Sequence, residues 1–174
     1  MNSLLQESRV IANDLAGTTR DAVRVQWLYA GRRITLVDTA GIKVRKGTMN
    51  TIDELVQKDI DTAIQYSHVV AVMIDSMQAF TSADMSLIKN VLDEGRSVII
   101  IANKWDLVED KYKKKAVKFM EKQLEKGLGQ AKGIPIAFIS AKSGQRTEKI
   151  MDEVLRVYEK WNTRVSTGLL NKWM

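Results

Sequence analysis

The tetrapeptide Asn103-Lys104-Trp105-Asp106 carries side chains that could read a purine base, and it directly follows an unbroken apolar run over residues 98–102. Such a short, β-branched run is typical of a parallel strand buried on both faces. A carboxylate such as Asp106 accepts two hydrogen bonds from neighbouring N–H groups, a pair that guanine offers and adenine lacks. Asn103 could contact the same ring, and Lys104 could lay its alkyl stem on the purine face. Taken alone, the tetrapeptide is better explained as a polar turn after a strand.

Two further polar clusters follow apolar runs in the same way. Asp38-Thr39-Ala40-Gly41 offers a carboxylate for the neighbourhood of Mg²⁺ and a glycine whose backbone N–H can approach a phosphate oxygen. By itself, this motif is better explained as an acidic turn that contains a glycine. Ser140-Ala141-Lys142 ends the last apolar run, and its small residues allow a backbone N–H to reach a ring carbonyl.

The spacing of apolar residues predicts the elements that hold these clusters. We expect strands over residues 23–29, 33–37, 69–75, 98–102 and 134–139, with a hairpin turn at 30–32. Helices are expected over 52–66, from an N-cap at Ser82 to residue 92, over 111–126 and 148–161, and from Ser166 or Thr167 onward. Strands that alternate with helices predict an α/β fold with a mostly parallel sheet flanked by helices. Parallel strands place all three clusters at one edge, so together they predict a nucleotide site.

Composition limits the alternatives. The 174 residues suit one domain, and 45% apolar with 28% charged residues suffices for a buried core. The absence of Cys excludes disulfides, Cys-based zinc sites and thiol nucleophiles. No apolar run approaches the roughly 20 residues of a membrane span. The net charge of +6 would attract RNA, although a solvated face is the simpler explanation of Lys113-Lys114-Lys115. No nucleophile–base pair supports an unrelated α/β enzyme, and the sole histidine, His68, is interpreted as structural.

Together, the motifs resemble the guanine-nucleotide-binding domain of the Era-like translation GTPases, a P-loop NTPase-like G domain, over essentially the whole chain. Within that group the sequence is most similar to the second G domain of the Der (EngA) family. Residues 17–21 resemble the first switch, residues 38–42 the second switch, and the clusters at Asn103 and Ser140 the guanine-reading motifs. Residues 161–171 resemble the junction into a KH-like domain. The resemblance therefore implies a G domain over residues 1–163 and the start of a KH-like domain over 164–174.

Roles for individual residues follow from this resemblance. Thr19, rather than Thr18, would approach Mg²⁺ and the γ-phosphate, Asp38 would lie behind the direct ligands of Mg²⁺, and the Gly41 N–H would meet the γ-phosphate. Asp106 and Asn103 would read guanine. The full set implied to bind GTP is Thr18, Thr19, Asp38, Thr39, Ala40, Gly41, Ile42, Asn103, Lys104, Trp105, Asp106, Ser140, Ala141 and Lys142.

Ile42 and a missing loop depart from the pattern of many GTPases. Ile42 stands where many of them place the Gln that orients the attacking water, so no catalytic residue is assigned and a slow switch is implied. The phosphate-binding loop Gly-x-x-x-x-Gly-Lys-Ser/Thr is absent, because no Gly in this sequence is followed by Lys. In the family this loop follows the first strand, which lies mid-sheet. We therefore expect a slot in the sheet, weak or no GTP binding, marginal folding, and a fragment cut inside elements at both ends.

For an intact protein, the resemblance implies GTP hydrolysis coupled to assembly of the large ribosomal subunit. It implies GTP or GDP and Mg²⁺ as cofactors, K⁺ as a further candidate, and ribosomal RNA or the large subunit as partner. The compartment would be the bacterial cytoplasm, or a mitochondrion or plastid in a eukaryote. The alternative is a nucleotide-incompetent remnant that serves as a basic RNA- or protein-binding module.

Overall fold

Strands and helices alternate along the residues that the computed structural model describes, which are 23–38, 58, 60–78, 80–129 and 133–173. The strands are β1 (Val23–Tyr29), β2 (Arg32–Asp38), β3 (Val69–Asp75), β4 (Ser97–Asn103) and β5 (Ile136–Phe138). The helices are α1 (Ser82–Asp93), α2 (Asp110–Leu128), α3 (Lys149–Trp161) and α4 (Thr167–Trp173), with a 3₁₀ turn at Trp105–Leu107 and further helical residues at 60–65.

Strands β3, β4 and β5 form a parallel sheet in that order, whereas β1 and β2 form a separate antiparallel pair. In the parallel sheet Asp75 lies beside Asn103, and Ala102 lies beside Phe138. The carboxyl ends of all three strands therefore meet at one edge, as expected. The predicted α/β architecture, with a parallel sheet flanked by helices, is confirmed.

The core explains why β4 is an unbroken apolar run. Side chains in a strand alternate between the two faces of the sheet. Ile100 and Ala102 pack in the main core with Ile88 of α1 and Met120 and Leu124 of α2. Ile101 points the other way and packs with Ile139 and Ile150. Because helices or loops cover both faces, neither face of β4 tolerates a polar side chain.

Within the described residues no strand pairing joins β2 to β3. The slot expected between the strand that ends at Val37 and the strand that ends at Asp75 stays a prediction. Side chains instead tie the hairpin to α3. The Tyr29 hydroxyl donates a hydrogen bond of 2.8 Å to the Asp152 carboxylate, and the Arg32 guanidinium contacts Glu159 at 2.7 Å.

The hairpin turn is tighter than expected, since Arg32 already pairs with Tyr29 as the first residue of β2. The two turn residues, Ala30 and Gly31, have φ values of 49° and 75°. Two consecutive positive φ angles are the signature of the two-residue turn that matches the twist of a hairpin.

The helices that are fully described begin and end within two residues of the prediction, and the cap of α1 differs from it. The N-cap of α1 is Thr81 rather than Ser82, because the Thr81 hydroxyl accepts the Asp84 N–H at 3.1 Å and the Asp84 carboxylate accepts the Thr81 N–H at 2.9 Å. At the start of α4, Ser166 takes the capping position and its hydroxyl accepts the Leu169 N–H at 3.4 Å. The expected helix over 52–66 lies only partly within the described residues.

Candidate functional site

Asn103 joins two of the three predicted clusters at the carboxyl edge of the parallel sheet. Its side-chain oxygen Oδ1 accepts the Lys104 N–H at 2.8 Å and the Ala141 N–H at 2.9 Å. Lys104 follows β4 and Ala141 follows β5, so this single oxygen fixes the end of one strand against the turn after the next. The structure thus brings the Asn103 and Ser140 clusters together, as the sequence predicted.

The turn after Asn103 is shaped by Lys104 and Trp105. Lys104 adopts a left-handed backbone conformation with φ at 64°. The Trp105 side chain is only 2% exposed and packs against Phe138 with ring centroids 4.4 Å apart. Its backbone N–H donates to the Ile139 carbonyl at 2.9 Å. Trp105 therefore fixes the turn against β5 and the residue after it, whereas the next residue along the turn, Asp106, is exposed at the edge where a base could reach it.

An ion pair that the sequence analysis missed links this turn to β3. The Lys104 ammonium donates to the Asp75 carboxylate at 2.6 Å, and the Met77 N–H donates to the same carboxylate at 2.9 Å. Lys104, and to a smaller extent the Met77 N–H, hold the pKa of Asp75 below its usual value. The sequence feature that could have revealed this ion pair is Asp75, because it is an acidic residue at the end of β3 and β3 lies beside the strand that ends at Asn103. In this arrangement the Lys104 ammonium is drawn toward Asp75, and 55% of its side-chain surface is open to solvent.

The turn over residues 140–145 presents backbone rather than side chains. Ser140 is fully buried, its N–H donates to the Gln145 carbonyl at 3.1 Å, and its hydroxyl accepts the Ser143 N–H at 3.2 Å. Lys142 is exposed, and its backbone N–H makes no hydrogen bond within the part of the chain described here. A donor is therefore available next to Asn103 for a ring carbonyl.

The predicted phosphate and magnesium residues fall mostly outside the described ranges. These are Thr18, Thr19, Thr39, Ala40, Gly41 and Ile42. Asp38 ends β2, where it pairs with Val23. Among the described residues, no group of three or more His, Asp or Glu side chains could hold a metal ion, and no helix is long and apolar enough to cross a membrane.

A carboxylate, an amide side chain and a backbone N–H at the edge of a parallel sheet form a donor and acceptor set that suits a planar base. The class that fold and site define is that of the nucleotide-binding α/β domains. A family model described as 50S ribosome-binding GTPase matches residues 1–104. The chain therefore belongs to the family of 50S ribosome-binding GTPases.

Curated relatives named GTPase Der cover the whole chain. The protein of Rickettsia typhi is 34% identical over 174 residues, and those of Rickettsia africae and Rickettsia bellii are 33% and 32% identical over the same length. The chain spans only 39%, 39% and 38% of the length of these three relatives. The resemblance to the Der family is confirmed.

Solved structures with the same fold include an Era protein in complex with MgGDPNP and nucleotides 1506–1542 of 16S ribosomal RNA. It has a TM-score of 0.66 and 20% identity, and the match covers 90% of this chain and 50% of that one. A probable GTP-binding protein engB has a TM-score of 0.60 and 17% identity, with 82% and 86% covered. These neighbours confirm the G-domain fold predicted from the sequence.

Proposed function

We propose that residues 1–163 are the guanine-nucleotide-binding domain of a GTP/GDP switch that acts in assembly of the large ribosomal subunit. Residues 164–174 then begin a KH-like domain. The observation that carries the nucleotide assignment is the 2.9 Å hydrogen bond from the Ala141 N–H to Asn103 Oδ1. It holds the segments that follow β4 and β5 together at the carboxyl edge of the sheet, and the Asp106 carboxylate is exposed there, which supports a base-binding role.

Base selectivity follows from the chemistry of Asp106. An ionised carboxylate only accepts hydrogen bonds, and guanine offers it two adjacent N–H donors. Adenine would leave these oxygens unpaired, which a site built around them rejects strongly. The Lys142 N–H is a donor for the ring carbonyl, which guanine has and adenine lacks.

The remaining roles extend this assignment to the phosphates. GTP or GDP would bind with Mg²⁺ near Thr19 and Asp38, and K⁺ is a further candidate. Ile42 has no amide with which to orient water, so hydrolysis would be slow without a partner. The family description and the net charge of +6 support ribosomal RNA as partner. Bacterial relatives support the bacterial cytoplasm as compartment, with a mitochondrion or plastid for a eukaryotic source.

The test is a change of base preference in Asp106→Asn. Asparagine replaces one acceptor oxygen by an N–H donor, so the variant should lose affinity for GDP by about tenfold or more and gain affinity for the xanthine analogue, whose ring carries a carbonyl in place of the amino group. Because the sequence contains no Gly-Lys pair, we expect weak binding and would follow it by NMR at millimolar nucleotide.

Asp93→Asn is the matched control, since it removes the same charge from an exposed position on α1. It should bind GDP like the unmodified chain. Equal binding of ADP and GDP by the unmodified chain, or an unchanged preference in Asp106→Asn, would refute the guanine site. Micromolar or tighter GDP binding would refute the prediction that the chain binds nucleotide weakly.

A further inference from the structure

Five lysines form a stripe along the solvent face of α2. Lys111, Lys115, Lys118, Lys122 and Lys126 follow one another at intervals of three or four residues, which places them on one side of a helix. All five are exposed, and they lie opposite the buried side chains of Met120 and Leu124. At 1.5 Å per residue the lysine stripe is about 22 Å long.

Only one lysine of the stripe forms an ion pair among the described residues. Lys111 pairs with Glu109 at 2.7 Å, but the other four lysines form no ion pair within the described residues. Lys118 and Lys122, and likewise Lys122 and Lys126, are four residues apart, and like charges at that spacing destabilise a helix slightly. The buried face of α2 already places polar residues on this side, but between Lys111 and Lys126 five exposed lysines lie beside only two exposed carboxylates, Glu121 and Glu125. The excess of positive charge favours a negatively charged partner.

Two aromatic rings border the lysine stripe. Tyr112 and Phe119 are 52% and 54% exposed. Because both side chains face solvent, packing of the core does not require an aromatic residue at either position. They are seven residues apart, which places them on the same side of α2 and about 10.5 Å apart along its axis. Exposed rings beside a basic groove or stripe are the usual platform on which unpaired bases stack.

We propose that the lysine stripe, together with Tyr112 and Phe119, binds single-stranded RNA. The lysines would contact successive phosphates and the two rings would stack on bases, so one ligand accounts for both features. An acidic polypeptide would account for the charges but gives no specific role to the two rings. The inference rests on the proposed function only for naming ribosomal RNA as the source of the strand.

The first test measures the salt dependence of RNA binding by fluorescence anisotropy with a labelled 12-nucleotide single strand and the full chain. The variant Lys115→Gln, Lys118→Gln, Lys122→Gln, Lys126→Gln should lose affinity at least tenfold. Its slope of log K against log salt should be shallower by about 2.8, because roughly 0.7 counterion is released per phosphate contact on a single strand. Circular dichroism checks that α2 remains folded.

The matched control removes four lysines elsewhere, with Lys89→Gln, Lys149→Gln, Lys160→Gln and Lys172→Gln. These positions are exposed and form no ion pair in the described part of the chain. The control should keep most of the affinity and of the salt slope. Equal losses in both variants would show that only net charge matters, and would overturn the proposal, as would a complete absence of RNA binding by the unmodified chain at low salt.

The second test separates RNA from an acidic protein. Tyr112→Ala combined with Phe119→Ala should weaken RNA binding about tenfold with an unchanged salt slope, because stacking involves no counterions. Tyr66→Ala, at an exposed ring that is not part of α2, is its control and should bind RNA normally. A poly-glutamate peptide that competes as well as RNA of equal charge would overturn the RNA assignment in favour of an acidic polypeptide.

A GDP titration of the same variants keeps the two proposals distinguishable. The lysine stripe variant should bind GDP like the unmodified chain. If GDP binding fails in every sample while RNA binding depends on the lysine stripe, the proposed nucleotide function fails and the RNA surface stands. If GDP binds but RNA binding does not depend on the lysine stripe, only the RNA surface is refuted.

Discussion

Asn103 is the residue on which the candidate site depends most, because one side-chain oxygen accepts both the Lys104 and the Ala141 N–H. Asn103→Ala leaves both donors without their partner, and we expect it to lower the free energy of unfolding by about 1 kcal/mol, the low end for a half-buried group that water can partly reach. Asn103→Asp retains an acceptor oxygen and should keep the contact. Urea unfolding gives the stability, and the NMR shift of the Ala141 amide reports the bond directly. An Ala141 shift unchanged in Asn103→Ala would contradict this role.

Asp75 gives the site a dependence on pH that can be measured. Lys104 and the Met77 N–H depress the pKa of Asp75 in the folded state. A depressed pKa adds stability above the unfolded pKa of about 3.9, and this stability is lost as the pH falls through the lower folded pKa. Because the pair is partly exposed, its contribution should be only about 0.5 kcal/mol.

Asp75→Asn should therefore be less stable than the unmodified chain at pH 7, and the difference should shrink as the pH is lowered below about 4. Urea unfolding at both pH values tests this. Asp93→Asn, at a position with no ion pair in the described residues, should show no comparable change. A gap between Asp75→Asn and the unmodified chain that is equal at both pH values would show that the ion pair is not its cause.

Among the helices, the N-cap of α1 could have been predicted correctly from the sequence. Ser82 was predicted, but Asp84 lies three residues after Thr81, which is the spacing of a reciprocal capping box. Thr81→Ala should lower the free energy of unfolding by about 1 kcal/mol, whereas Ser82→Ala should change it little. Thermal unfolding of both variants measures the difference. Equal losses would mean that Ser82 contributes to the cap after all.

The local sequence pattern predicted most helices and strands. Features that depend on pairing between strands distant in the sequence could not be predicted from it. The unbroken run of β4 correctly predicted a strand buried on both faces. The last strand is shorter than its apolar run, but the Ile100 N–H still donates to the Pro135 carbonyl and the Ile139 N–H to the Ala102 carbonyl, so the run lies along β4 as expected. The Lys104–Asp75 contact depends on strand register and on a left-handed backbone at Lys104, and neither is encoded in a local pattern.

At the scale of the whole molecule, the β1–β2 hairpin and the parallel sheet should differ in stability. Strand β4 lies between two other strands and its residues Ile99, Ile100 and Ala102 are fully buried. Within the described residues, the hairpin has no strand neighbour and is held by the buried Trp27 and by contacts of Tyr29 and Arg32 with α3. Elements with few buried contacts open at lower free energy than the core. Native-state hydrogen exchange should therefore show the hairpin amides exchanging faster than those of β4.

Removing the ties to α3 should widen that difference. In Tyr29→Phe combined with Arg32→Gln, the hairpin loses both side-chain bonds to Asp152 and Glu159, so its amides should exchange several-fold faster while those of β4 stay unchanged. Arg156→Gln is the matched control, because it removes an ion pair with Glu153 within α3 that does not reach the hairpin. It should leave hairpin exchange as it was. The contrary result is that hairpin and β4 amides open at one common free energy and that the double variant lowers this opening free energy for both. The hairpin and the parallel sheet would then unfold as a single cooperative unit.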